Sequence, residues 1–326
     1  MTTTSPLCWK AIQRKNFTNW KTLFQFLHLD ERFSSQILTQ PSFALNLPFR
    51  LAEKISKGTL EDPILKQFLP SILEKEITPN FILDPVSDVS FRKERKLLHK
   101  YQGRALLLCS SACAMNCRFC FRQNFGYERE KKGFDEEIAY IREDSSLSEV
   151  ILSGGDPLSL SNEVLGDLID KLSSIPHLKL LRFHTRFPIG IPERCDAGLL
   201  EVLAKTRLQV FFVIHCNHSR ELDEDILAVL KEIQRGGATL LSQTVLLKGV
   251  NDDLPTLKEL CEKLISGGIV PYYLHQLDRV KGVAHFEVDQ EKGRSLVEQL
   301  AKELPGYAIP RYVQEIPGMA HKQSLL

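Results

Sequence analysis

From Ala105 onward, apolar residues fall in short, nearly unbroken runs. These are ALLLC at 105–109, EVILS at 149–153, LKLLRFHT at 178–185, LQVFFVIHC at 208–216, ATLLSQTVLL at 238–247 and YYLHQL at 272–277. Stretches with helical spacing separate them, at 222–234, 254–265 and 290–300. The runs begin mostly at intervals of about thirty residues, the length of a βα unit with its return connection. Near-continuous apolar strands are what a parallel sheet covered by helices requires. Six such units predict an α/β fold, a partial (β/α)6 TIM-like barrel with its chemistry at the C-terminal ends of the strands. A doubly wound open sheet has the same periodicity.

Before residue 98 the pattern differs. Trp20, Leu23, Phe24 and Leu27 follow a helical period, and Pro41, Pro48, Pro63, Pro70 and Pro79 break the chain into short segments. The expected organisation is a mainly helical N-terminal region over 1–98, a barrel over 99–305 and a C-terminal segment over 306–326.

The bulk numbers exclude more than they specify. Of 326 residues, 43% are hydrophobic and 25% charged, ordinary for a globular protein. A formal net charge of +1 argues against a dedicated nucleic-acid surface. No apolar run is long enough to span a bilayer, so no membrane partner is expected. The opening MTTTSPLCWKAIQRKNF lacks the apolar stretch of a secretory signal. The expected compartment is the cytoplasm, where thiols stay reduced and clustered cysteines point to metal or catalysis.

Four of the eight cysteines lie within CSSACAMNCRFC at 109–120. Zinc sites usually use two separated CxxC pairs, and Cys8, Cys195, Cys216 and Cys261 supply no second pair. The CxxxCxxC spacing of Cys113, Cys117 and Cys120 instead suits three corners of a [4Fe–4S] cluster, leaving one iron open to a ligand. Cys109 ends a strand-like run and reads as a buried hydrophobe. The other unusual residues also follow strands: SGGDP (Ser153–Pro157), HTR (His184–Arg186) and HCNH (His215–His218). Histidines at such places, His275 included, are more often hydrogen-bonded core residues than metal ligands.

Cys113–Ala–Met–Asn–Cys117–Arg–Phe–Cys120 resembles the signature of the radical S-adenosylmethionine (radical SAM) superfamily. LLHKYQGRALLL, CFR, SGGDPL and YYLHQLDRVKGVAHF, from about Leu97 to Lys322, narrow the resemblance to the lysine 2,3-aminomutase family. That resemblance implies an isomerase with a radical SAM barrel, a [4Fe–4S] cluster, S-adenosylmethionine and pyridoxal 5′-phosphate (PLP). It implies cluster ligation by Cys113, Cys117 and Cys120, and S-adenosylmethionine contacts from Phe119, Gly154, Gly155, Asp156, Arg186 and Gln243. Lys322, in EIPGMAHK, matches the catalytic lysine that binds PLP, and Lys100, Tyr101 and Arg104 match residues around the PLP phosphate. Arg122 matches the arginine that pairs with the substrate carboxylate; Asp278 and Glu315 match the acids that hold the distal ammonium of L-lysine. The implied electron donor is a flavodoxin or ferredoxin. Glu315 and the early chain end resemble the short branch of the family, whose (R)-β-lysine is attached to elongation factor P by a ligase.

Overall fold

Frequent prolines keep the N-terminal helices short. α1 (Trp9–Gln13), α2 (Trp20–Leu27), α3 (Phe49–Glu53) and α4 (Pro63–Lys66) run four to eight residues each, in a computed structural model that describes residues 8–127 and 133–326. In α2 the expected spacing buries Leu23, Phe24 and Leu27. Pro63 occupies the first turn of α4, where it needs no hydrogen bond, and the Asp62 carboxylate accepts the amides of Ile64 and Leu65 at 2.8 and 3.1 Å. Most of the remaining backbone before residue 92 is turn or irregular. This region is no separate body, because Leu23, Leu47, Leu51 and Phe68 belong to the same core as the strands that follow.

One ten-stranded sheet organises the rest. An antiparallel edge, β1 (Arg92–Glu94) and β2 (Leu97–Tyr101), leads into β3 (Arg104–Ser110). Strands and helices then alternate: α5 (Asp135–Glu143), β4 (Glu149–Gly154), α6 (Asn162–Ser173), β5 (Leu180–Thr185), α7 (Phe187–Gly190), α8 (Ala197–Lys205), β6 (Gln209–His215) and α9 (Glu224–Arg235). The series ends with β7 (Thr239–Val245), α10 (Leu254–Ser266), β8 (Val270–His275), α11 (Gln290–Glu303), β9 (Arg311–Gln314) and β10 (Gln323–Ser324). The six expected strands are β3 to β8. The short run RYVQ adds β9, a seventh parallel strand, and β10 returns antiparallel beside it.

Spatial order follows chain order from β1 to β10. A doubly wound sheet needs a reversal of strand order, so that alternative falls. Among the described residues no pairing joins β10 to β1, leaving an open, partial barrel. Helices cover its outer face through stripes such as Leu165, Leu168, Ile169 and Leu172 of α6. The inner face is more polar. In β5, Leu181 and Phe183 are fully buried, while the alternate Arg182 and His184 line an interior cavity. No helix among the described residues is long and apolar enough to cross a membrane.

Candidate active site

The cavity encloses about 700 Å³. It gathers every residue singled out as a site residue from the sequence: Cys113, Cys117, Phe119, Cys120 and Arg122 from one loop, Gly154, Gly155 and Asp156 from the next, then Arg186 and Gln243. Lys100, Tyr101, Arg104, Asp278, Glu315 and Lys322 complete the wall. Cys109 is absent from it, its thiol buried in the sheet core.

The cysteine loop has no regular structure of its own, so other segments hold it. The N-terminal region contributes most of the grip. The Asn116 amide donates to the Asn46 carbonyl at 2.9 Å, and the Arg118 amide to the Gln67 carbonyl at 2.8 Å. Gln13 and Asn16 side chains donate to the carbonyls of Cys113 and Ala114 at 3.1 and 2.7 Å. The Arg118 guanidinium, only 1% exposed, pairs with Glu74 and donates to the Phe43 carbonyl. Burial pushes all three loop thiols upward, Cys120 to about 11. They therefore keep their protons until a metal displaces them. Among the described residues, Cys113, Cys117 and Cys120 are the cysteines that line the cavity, a donor set suited to a cluster that keeps one iron open.

The glycine turn after β4 serves the same loop. Gly154 has φ +114°, and a Cβ there would stand 2.6 Å from the Ser110 carbonyl oxygen. At Gly155 a Cβ would meet the Ala112 carbonyl oxygen at 2.3 Å. The Gly155 and Asp156 amides donate to Ser110 and Ala112 carbonyls at 2.6 and 2.8 Å. These amides, expected to approach a ligand, thus bind the cysteine loop, and the glycines permit that backbone-to-backbone contact. Asp156 is likewise occupied. Its carboxylate accepts from the Leu158, Arg186 and Phe187 amides and twice from the Thr185 hydroxyl. Burial nevertheless raises it to about 6.

Phe119 is buried, edge-on to His215 and Phe286 at centroid distances of 5.6 and 6.2 Å. Gln243 lies beside His215 across the β6–β7 register. Burial lowers His184 and His215 well below the ordinary histidine value and His275 to about 3, so all three are neutral. In the HCNH stretch, His215 bonds Asn217 and the His218 ring accepts the Arg220 amide, which uses both histidines within the protein.

Elsewhere in the cavity wall, charges are linked in a chain that runs back to the cysteine loop. Lys322 Nζ donates to Glu315 Oε2 at 2.5 Å. Glu315 Oε1 accepts from Tyr101 at 2.6 Å and from Lys100 at 3.0 Å. Lys100 continues to Asp88 at 3.2 Å, and the second Asp88 oxygen accepts Arg122 Nε at 2.8 Å. Burial alone would raise Glu315, but Lys322 and Lys100 outweigh it and hold the carboxyl at about 2. Asp278 differs. Burial pushes it up to about 7, with Lys322 pulling the other way. Gly318, at φ +83°, turns the loop that brings Lys322 back to the cavity.

Sequence reading missed Asp88, Arg118, Gln67 and Glu221. Arg118 alone carried a signal, lying between two cysteines of the triplet; the others sit in stretches without any motif.

Known proteins with similar sequences now bear on this site. A family of 4Fe-4S single cluster domains matches residues 102–183, which hold the cysteine loop and the glycine turn. The L-lysine 2,3-aminomutase of Haemophilus influenzae is 39% identical over 96% of this chain and 94% of its own length. The chain belongs to the lysine 2,3-aminomutase family. The Escherichia coli member is also 39% identical, over 93% of this chain and 90% of its own. That of Clostridium subterminale is 34% identical over 81% and 64%. Among solved structures, a radical SAM methyltransferase from Sphaerobacter thermophilus is a loose likeness, with a TM-score of 0.47, 18% identity and coverage of 67% and 68%. As a radical SAM member of the lysine 2,3-aminomutase family, the protein is an isomerase whose cofactors are a [4Fe–4S] cluster, S-adenosylmethionine and PLP. The residues present fit these groups: three partly buried cysteines, a buried Arg186 Nε with no partner among the described residues, and the primary amine of Lys322, all lining the same cavity.

Proposed function

We propose that this protein converts L-lysine to (R)-β-lysine, moving the amino group from C2 to C3 while a hydrogen moves the other way. One observation carries the reading: a single cavity is lined by three cluster-type cysteines and by a lysine among carboxylates. When bound, the cluster and S-adenosylmethionine supply a hydrogen-abstracting radical, and PLP supplies the carbonyl that carries the migrating nitrogen. The chain's own residues do the rest. Cys113, Cys117 and Cys120 hold the cluster; Phe119, Arg186 and Gln243 flank the S-adenosylmethionine site, and Gly154, Gly155 and Asp156 fix the turn beside it. Lys322 holds PLP covalently, with Lys100, Tyr101 and Arg104 on its phosphate side. Arg122 offers a planar fork to the substrate carboxylate. Asp278 and Glu315 receive the distal ammonium and repel an acidic side chain.

A flavodoxin or ferredoxin in the cytoplasm is the proposed electron source. Elongation factor P, through its ligase, is the proposed destination of the product; the fuller coverage and higher identity of the Haemophilus and Escherichia relatives support this short-branch reading. The test is an anaerobic purification with iron, sulfide and PLP analysis, followed by an amino-acid panel with reductant and S-adenosylmethionine. Turnover of lysine alone is expected; turnover of glutamate but not lysine sinks the charge argument, and zinc without sulfide or PLP sinks the cluster reading. Lys322→Ala should lose the visible absorbance of protein-bound PLP. In cells lacking the protein, elongation factor P should lose the mass of a β-lysyl group.

A further inference from the structure

Behind the cysteine loop lies a polar network with almost no access to solvent. Gln67, Asn217 and Glu221 are fully buried and Arg186 is 6% exposed. Arg186 Nη2 donates to Gln67 Oε1 at 2.6 Å and to Glu221 Oε2 at 2.7 Å. Its Nη1 donates to Cys117 Sγ at 2.8 Å. Gln67 in turn donates to Glu221 Oε1 at 3.0 Å, and Asn217 donates to both partners. Phe68 and Phe119 flank the guanidinium, with ring centroids 5.1 and 5.6 Å from its carbon. Its position is therefore fixed on every side except at Nε, which has no hydrogen-bond partner among the described residues.

Arg186 and Glu221 form a buried ion pair in which the guanidinium, not the carboxylate, touches the Cys117 sulfur. An electron added to an iron–sulfur cluster spreads negative charge onto the sulfurs, and hydrogen bonds and positive charge there favour the reduced state. In a low-dielectric interior that preference is poorly screened. Resting on the cluster assignment above, we propose that Arg186, clamped by Gln67 and Glu221, is a positioning residue that raises the reduction potential of the cluster on Cys117. Gln67 comes from the N-terminal region, so that region tunes the cluster's readiness to accept an electron as well as holding its loop.

The experiment is a redox titration of the anaerobically reconstituted holoenzyme, following the electron paramagnetic resonance signal of the reduced cluster without S-adenosylmethionine. Arg186→Gln removes the charge and should make reduction at least tenfold less favourable, a midpoint lower by about 59 mV for one electron. Glu221→Gln keeps an acceptor for Arg186 but removes the opposing charge, and should move the midpoint upward. Unchanged midpoints with full iron and sulfide, or shifts of both variants in one direction, overturn the proposal. If Arg186→Gln fails to retain iron, Glu221→Gln decides: a rise supports the proposal, and no change or a fall overturns it. A wild-type protein that takes up no iron and sulfide sinks the cluster assignment instead.

Discussion

Two parts of the cavity wall, the cysteine loop and the charged residues around Lys322, are held mainly by different physics. At the cysteine loop, backbone largely meets backbone: Asn116, Arg118, Gly155 and Asp156 amides all bond carbonyls of other segments, and two glycines allow the approach. The Gln13 and Asn16 side chains and the Arg118–Glu74 pair add to the hold. Around Lys322, long side chains meet through charge, in the sequence Lys322, Glu315, Lys100, Asp88, Arg122. Fixed backbone suits a rigid cluster whose ligands must not move. Ion pairs suit the proposed binding of PLP and a charged substrate there, each displacing one partner for another. The first part should respond to lost volume or geometry, and the second to pH.

The largest effect that exposes this contrast is Cys117→Ala, which should abolish both cluster absorbance and turnover while leaving the visible absorbance of bound PLP; loss of that absorbance as well would mean the two parts are not independent. Gly155→Ala comes next. Its Cβ has no room beside the Ala112 carbonyl, so urea unfolding should register a loss of roughly 2–3 kcal/mol and iron should be retained poorly. Among the charged residues, Asp278 binds a proton in the folded protein up to about pH 7, against an ordinary value of 3.8. Between those values the folded state holds the extra proton, so stability of the cofactor-free protein should fall as pH rises from about 4 through about 7 and then level off. Asp278→Asn should remove that slope, and an unaltered slope would assign it to another group. Smallest is Cys109→Ala. It leaves the cavity wall intact and should change turnover by less than about threefold, at a stability cost of about 1 kcal/mol; loss of the cluster would make Cys109 a ligand after all.

Much of this arrangement could be read along the chain, for a physical reason. A cluster-binding loop needs its thiols close in sequence, so its spacing survives as a motif. Strands buried on both sides must be almost wholly apolar, so β3 to β8 announced themselves. β9 did not, being four residues long and half of them polar. The N-terminal region was legible only as broken helix, because its function is carried by single polar groups such as Gln13, Asn46, Gln67 and Glu74. Each of these bonds a residue between 44 and 100 positions away. Asp88 was hidden for the same reason. Nothing around it in sequence distinguishes it from a solvated turn aspartate, yet folding buries it between Lys100 and Arg122.

The sequence by itself determined the class of fold and the cysteine triplet, since both depend on local spacing, whereas the other candidate site residues were named by the resemblance to the family. Only the tertiary structure decided what those residues touch. It turned the Gly155 and Asp156 amides toward the cysteine loop, paired Glu315 with Lys322, and set a buried guanidinium against Cys117. Such contacts join segments remote along the chain, and a distance of a few ångströms between them is set by the packing of the whole sheet rather than by any stretch of sequence.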